Sequence, residues 1–401
     1  MKDCLMVFKS VLRLLVMLIV INGAQWVMAA AEAPVDGIKC ITLTGHTETV
    51  CSALFSPDGS QIVTISQDHT ARIWNARTGN CERVLIGHGD WVTSAAFSPD
   101  GTRIVTASAD RTARIWNTRT GACERILAGH GHFVYSATFS PDGTRIITAS
   151  DDNTARVWNA STGICEFTLR MTGPGGAIIT NGFSIYSALF SPDGTRIVTA
   201  SADRTARIWN VGTGYCEHVL TGHEDWVTSA VFSPDGLHIV TASIDHTARV
   251  WNSLTGGCER ILAGHGGPVY SAAFSSDGNR IVTASFDGTA RLWNSSTAVC
   301  EHRLAGHLGQ VYSAACCPDG TRIVTASADS TARIWTDTRA REQTRALALA
   351  LACAQHPRLG ADSPASLLDP YVMREIASFG LADSFVARRQ ARESKYWCLL
   401  Q

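Results

Sequence analysis

Histidine, aspartate, serine and tryptophan recur through this 401-residue chain at fixed spacing. The histidines His46, His88, His130, His223, His265 and His307 each follow a glycine, and an aspartate lies 22 residues on, at Asp68, Asp110, Asp152, Asp245, Asp287 and Asp329. A serine stands two residues before each aspartate (Ser108 before Asp110), and a tryptophan closes each unit: Trp74, Trp116, Trp158, Trp209, Trp251, Trp293 and Trp335. Histidine, aspartate and serine together are the parts of a nucleophilic triad, and histidine with carboxylate is also a metal-ligand set. The repetition argues against both, because an active site needs one constellation and this chain carries six. An enzyme would also need an unrepeated nucleophile or base converging on one pocket, and the sequence offers none. No Cys-x-x-Cys pair points to zinc. The sequence therefore predicts a non-catalytic chain with no cofactor and no metal.

The elements that must position these residues follow from the spacing. Five of the six Trp-to-Trp intervals are 42 residues and the sixth, Trp158 to Trp209, is 51, so one unit carries nine extra residues. Self-similarity at this period marks a repeat architecture, in which one unit cannot bury its own apolar face. Within the second unit, Val92 to Phe97 alternates and stops at Ser98-Pro99-Asp100-Gly101, a turn in which Pro presets φ and Gly accepts positive φ. Arg103 to Ser108 is rich in β-branched residues, Thr112 to Trp116 alternates again, and Cys123 to Leu127 follows a Thr-Gly turn. Four short strands per unit with no helical period indicate a radial all-β fold.

The units resemble those of the WD-repeat family, with Gly-His at one end, Trp near the other and Asp between. The resemblance covers residues 39–336 and implies a seven-bladed β-propeller of four-stranded blades. It also implies that the recurring His, Asp, Ser and Trp form one buried network per blade, including Asp203 in the fourth unit. That unit has no Gly-His, so its network should be incomplete. Six closing dipeptides are Trp-Asn where the family has Trp-Asp, and the last is Trp335-Thr336; the change should matter little. Residues 39–44, aligned by Cys40-Ile-Thr-Leu-Thr-Gly45 on Glu124-Arg-Ile-Leu-Ala-Gly129, should supply the outer strand of the seventh blade and close the ring.

Copies share scaffold, so specificity must lie where they differ. By the resemblance, two variable positions flank the first-strand valine on one face, the top. The first reads Thr49, Trp91, Phe133, Ser184, Trp226, Pro268, Gln310, and the second reads Cys51, Thr93, Tyr135, Tyr186, Thr228, Tyr270, Tyr312. A third, before the turn aspartate, includes Gln67, Asp151 and Phe286. The sequence thus predicts a site for a protein or peptide ligand at Trp91, Phe133, Tyr135, Tyr186, Trp226, Tyr270, Phe286 and Tyr312, with specificity from Asp151 and Gln67. The Gly-rich insertion, residues 170–182, should flank it beside Tyr186.

Net charge is −1 and the repeats contain no run of Lys or Arg, which argues against nucleic acid as partner. Residues 1–31 have a basic start, a short apolar core from Leu14 to Ile21 and a small-residue exit, the pattern of a signal peptide; left uncleaved, residues 14–31 would be a weak membrane anchor. Export follows from a signal peptide. The cysteines point instead to the cytoplasm: six stand at one rim position (Cys81, Cys123, Cys165, Cys216, Cys258, Cys300), too far apart to pair and predicted to be mostly buried. Residues 337–401 read as a helical extension, with helices over 339–355, after Asp369-Pro370, and over 382–397. The extension weakly resembles an F-box or SOCS-box, which implies a second reading of the chain as a substrate-recognition adaptor of a ubiquitin ligase.

Overall fold

A computed structural model describes residues 38–170 and 183–337. The leader over 1–31, the insertion beyond Arg170 and the helices expected after 337 lie outside the described residues. Within them the chain forms twenty-eight strands of six residues each, arranged as seven four-stranded antiparallel sheets. Blade two is typical: Val92–Phe97, Arg103–Ser108, Thr112–Asn117 and Cys123–Ala128 lie side by side in chain order. The seventh blade takes three strands from Val311–Cys316, Arg322–Ser327 and Ala332–Asp337, and its outer strand is Ile38–Leu43. The ring is closed by pairing the two ends of the repeat region.

Burial explains the composition of each strand. The second strand of a blade has neighbouring blades against both faces, so Ile104 and Val105 are both 0% exposed and the run is continuously apolar or small. The outer strand has solvent on its far edge, and in Cys123–Ala128 only Leu127 is buried. Seams between blades are the core: Val105, Ala107, Ile115 and Leu127 of blade two pack on Val134, Phe139, Ile146 and Trp158 of blade three. Each buried large aliphatic side chain stabilises by about 1.5–3 kcal/mol.

Two β-bulges recur in the blades. One falls in the first strand after the valine, between Val92 and Ser94, and leaves the residue between them unpaired. The other falls between the third and outer strands, at Ile115/Trp116, where Trp116 pairs with Cys123 and Ile115 with Arg125, so Glu124 is the extra residue. This second bulge corrects the alignment of Cys40 and gives the closing Asn a partner. Asn117 Nδ2 donates to Glu124 Oε1 at 2.9 Å while Asn117 Oδ1 accepts from the N–H of Arg119 and Thr120. An aspartate there would set two carboxylates against each other. Five other blades repeat the pair, from Asn75–Glu82 to Asn294–Glu301. In the seventh blade Cys40 pairs directly with Trp335 and Ile41 with Ile334, with no bulge. Cys40 therefore occupies the position of Cys123 and not of Glu124. The glutamate is the missing residue, and that blade is the one whose Trp is followed by Thr336.

The rim cysteines also differ from expectation. Cys81, Cys123 and Cys258 are exposed, Cys165, Cys216 and Cys300 are half-buried, and all are free. They open the outer strand, where no further blade covers them. Cys316 and Cys317 point apart: the first joins the seam with blade six and the second the seam with blade one.

Candidate protein-binding face

The top loops are held by a hydrogen-bond chain in each blade. In blade two His88 Nδ1 lies 2.7 Å from Asp110 Oδ2 and His88 Nε2 lies 2.7 Å from Thr106 Oγ1, which also accepts from Trp116 Nε1 at 2.8 Å. With the ring proton on Nδ1 every group is satisfied: imidazole to carboxylate, threonine hydroxyl to imidazole, indole to threonine. The same chain recurs at His46, His130, His223, His265 and His307. The joining residue is thus a threonine, not the serine singled out from sequence. Ser108 instead accepts from the Asp110 N–H and donates to the Asp90 carbonyl, pinning one top loop to the other. Both imidazole nitrogens are engaged and the threonine is 0% exposed, so the set holds no accessible nucleophile–base pair. Among the described residues no group of three or more His, Cys, Asp or Glu side chains could hold a metal.

Burial alone would raise the carboxyl pKa of Asp110. It is outweighed by hydrogen bonds from His88, Thr112 and the Gly89 N–H, which hold the group well below the usual carboxylate range. Gly87 of the Gly-His pair is set by its backbone: φ +157° strains any other side chain, and a Cβ would also stand 2.8 Å from Arg114 Nη1 and 3.3 Å from the Trp116 ring.

Blade four lacks the histidine, as its sequence requires, and an arginine takes the histidine's place at the aspartate. Arg207 turns to Asp203, Nη1 to Oδ2 at 2.5 Å, and is buried at 8% exposure, while Trp209 Nε1 still donates to Thr199 at 2.9 Å.

On this base stand the variable positions. In every blade the third position's N–H donates to the first position's carbonyl, as Ala109 to Trp91 and Asp151 to Phe133, both at 2.9 Å. The second position is the unpaired bulge residue, which re-aims its side chain toward the neighbouring blade. Thr93 Oγ1 donates to the Val134 carbonyl at 2.6 Å, Tyr135 packs on Tyr186 with centroids 5.2 Å apart, and Tyr270 packs on Tyr312 at 5.1 Å. Two aromatic arcs result. One runs Tyr135–Tyr186–Trp226 across blades three to five, with Trp226 5.8 Å from Tyr186. The other runs Tyr312–Tyr270–Phe286 across blades seven and six.

Of the eight aromatics, Phe286 is exposed, at 37%, and the other seven are half-buried. Burial pushes the Tyr270 phenol up to about 12, and burial with the nearby Tyr135, Asp151 and Asp225 pushes Tyr186 higher still. Asp151 sits beside the first arc, accepting from Ser184 Oγ and lying 2.6 Å from His132 Nδ1, with His132 tilted 59° against Phe133 at 4.6 Å. Trp91 makes no ring contact among the described residues; its backbone N–H donates to Asp90 Oδ1 at 2.8 Å. Gln310 accepts from the Tyr312 hydroxyl at 2.8 Å.

Comparison with known proteins agrees with this geometry. The family described as WD domain, G-beta repeat matches residues 37–75, 79–117, 121–159, 175–210, 214–252, 256–294 and 298–336. A stretch of 68 residues is 43% identical to an uncharacterized WD repeat-containing protein of Synechocystis sp., covering 15% of this chain and 20% of that one. Another of 34 residues is 53% identical to a nuclear distribution protein of Coccidioides posadasii, covering 8% of this chain and 7% of that one. The chain thus spans no more than a fifth of either relative.

Proposed function

The chain belongs to the WD-repeat family, and from that premise we propose that it is a non-catalytic platform binding a peptide or protein segment on the top face of its propeller. WD-repeat proteins act generally as protein-interaction scaffolds. The observation that carries the finer reading is where the copies differ. Strands, turns and networks repeat almost unchanged, while the variable positions gather on one rigid face as two aromatic arcs with Asp151 and Gln310 beside them. Half-buried rings already fixed by their neighbours lose little entropy when a partner covers them. Affinity would come from covering these rings, and discrimination from pairing with the few polar groups.

The test is a displayed peptide library selected on the wild type and counter-screened on a Trp91→Ala/Trp226→Ala variant of matched thermal stability. Selected sequences should bind the variant at least about 30-fold more weakly, the effect of losing roughly 2 kcal/mol at a hot spot. Equal binding to both would move the site off this face. Location belongs to the same proposal. The exposed free thiols support a reducing cytoplasm, whereas residues 1–31 support export. The compartment in which the selected partner resides distinguishes them.

A further inference from the structure

One seam of the ring is incomplete. Six blades end their first strand in phenylalanine, as at Phe55, Phe139 and Phe232, but the seventh ends in Cys316. At three seams an arginine from the preceding blade lies over that ring: Arg103 over Phe139 at 5.3 Å, Arg196 over Phe232 at 5.4 Å and Arg322 over Phe55 at 5.2 Å. Between blades six and seven the ring is gone, and Arg280, which pairs with Glu301 at 3.1 Å, borders the gap instead. A cavity remains, lined by apolar Leu292, Ile323 and Trp335 and also by Ser275, Arg280 and His302. The surrounding core is uncovered to match. Ile323 is only half-buried where Ile104, Ile146 and Ile239 are 0% exposed, and Trp335 is 7% exposed where Trp116 and Trp158 are 2%. Burial pushes the Cys316 thiol up to about 12, so it stays neutral and lines the cavity as a small apolar group.

The chain continues from beside this opening. Thr336 pairs with Arg322, between Thr321 and Ile323 of the cavity wall, and the strand ends at Asp337. The first large apolar residues after it are Leu347, Leu349 and Leu351. The intervening residues can span up to about 33 Å when extended, ample for a return to the seam. They carry Arg339, Arg341 and Arg345, and the turns flanking the cavity carry Asp277 and Asp319, the latter already 3.2 Å from Arg322.

We propose that the seam between blades six and seven is a docking cavity for the chain's own continuation, with a leucine of Leu347, Leu349 or Leu351 standing in for the missing phenylalanine ring. The test is a thermodynamic cycle in the full chain. Leu347→Gln/Leu349→Gln/Leu351→Gln should lower the melting midpoint by about 4 °C. The same change in a Cys316→Phe background, where the cavity is filled from within, should lower it by less than about 1 °C. Equal losses in the two backgrounds, or none in the first, overturn the proposal. An independent readout needs no refilled variant: peptide-mapped alkylation of Cys316 should speed up at least about tenfold in the triple-Gln chain. An unchanged rate would mean that something else, or nothing, covers the cavity, and would equally overturn it.

Discussion

At the scale of single residues, the threonine of the second strand is the centre of each blade's polar chain. Thr106→Val keeps shape but leaves the Trp116 indole N–H and His88 Nε2 without partners at a buried site. Chemical denaturation should show a loss of about 2–4 kcal/mol, well above a surface substitution. Asn117→Asp tests the Asn–Glu pair at the rim. Both groups have access to solvent, so the loss at pH 7 should stay under about 1 kcal/mol, grow at low salt, and be relieved by adding Glu124→Gln. If Glu124→Gln gives no relief, the pair has no electrostatic role. Both features were present in the sequence but hard to read. A threonine recurring within Arg-Ile-Val-Thr-Ala-Ser looks like an ordinary β-branched strand residue, and only its invariance across copies hints at a bond. Asn and Glu stand seven residues apart, and the bulge that brings them together has no marker of its own. The clue was within the chain: the blade with no Glu is the blade with no Asn.

At the scale of elements, strands and turns were legible almost to the residue, because Pro-Asp-Gly and Thr-Gly turns punctuate alternating runs. The orientation of the top residues was not. Period-two patterning says which side of a strand a residue takes, but a bulge resets it, and the bulge turns Tyr135 and Tyr270 onto neighbouring blades. The rim thiols were misjudged for a similar reason, since a repeated cysteine reads as buried until the outer edge of the sheet is located. Thiol-specific labelling of the native protein, mapped by peptide, should modify Cys81, Cys123 and Cys258 long before Cys317, which is 0% exposed. Comparable rates would mean that the seam with blade one opens readily. The top loops also set an acid limit. Asp68, Asp110, Asp152, Asp245, Asp287 and Asp329 all have pKa values held below the unfolded range. A depressed carboxyl contributes stability that is full above the unfolded value of about 3.9 and is lost as pH falls through the folded one. Stability should therefore fall below about pH 4, and Asp110→Asn should be less stable at pH 7 yet show a shallower acid slope.

For the whole molecule, closure and recognition are separate tasks. Closure rests on the first strand, whose Leu43 is 2% exposed within the core that joins blades seven and one. Leu43→Ala should cost about 2–5 kcal/mol, as much as Leu127→Ala inside a continuous blade; a much smaller loss would make the closing strand an accessory. Recognition rests on the top face, and the measurement that tests it most directly is amide hydrogen exchange on the full chain with and without a peptide selected as above. The account predicts added protection confined to the loops before the first strands and after the second strands, centred on Phe133, Tyr186 and Trp226. Protection on the outer strands or at the Pro-Asp-Gly turns, with the top loops unchanged, would contradict it.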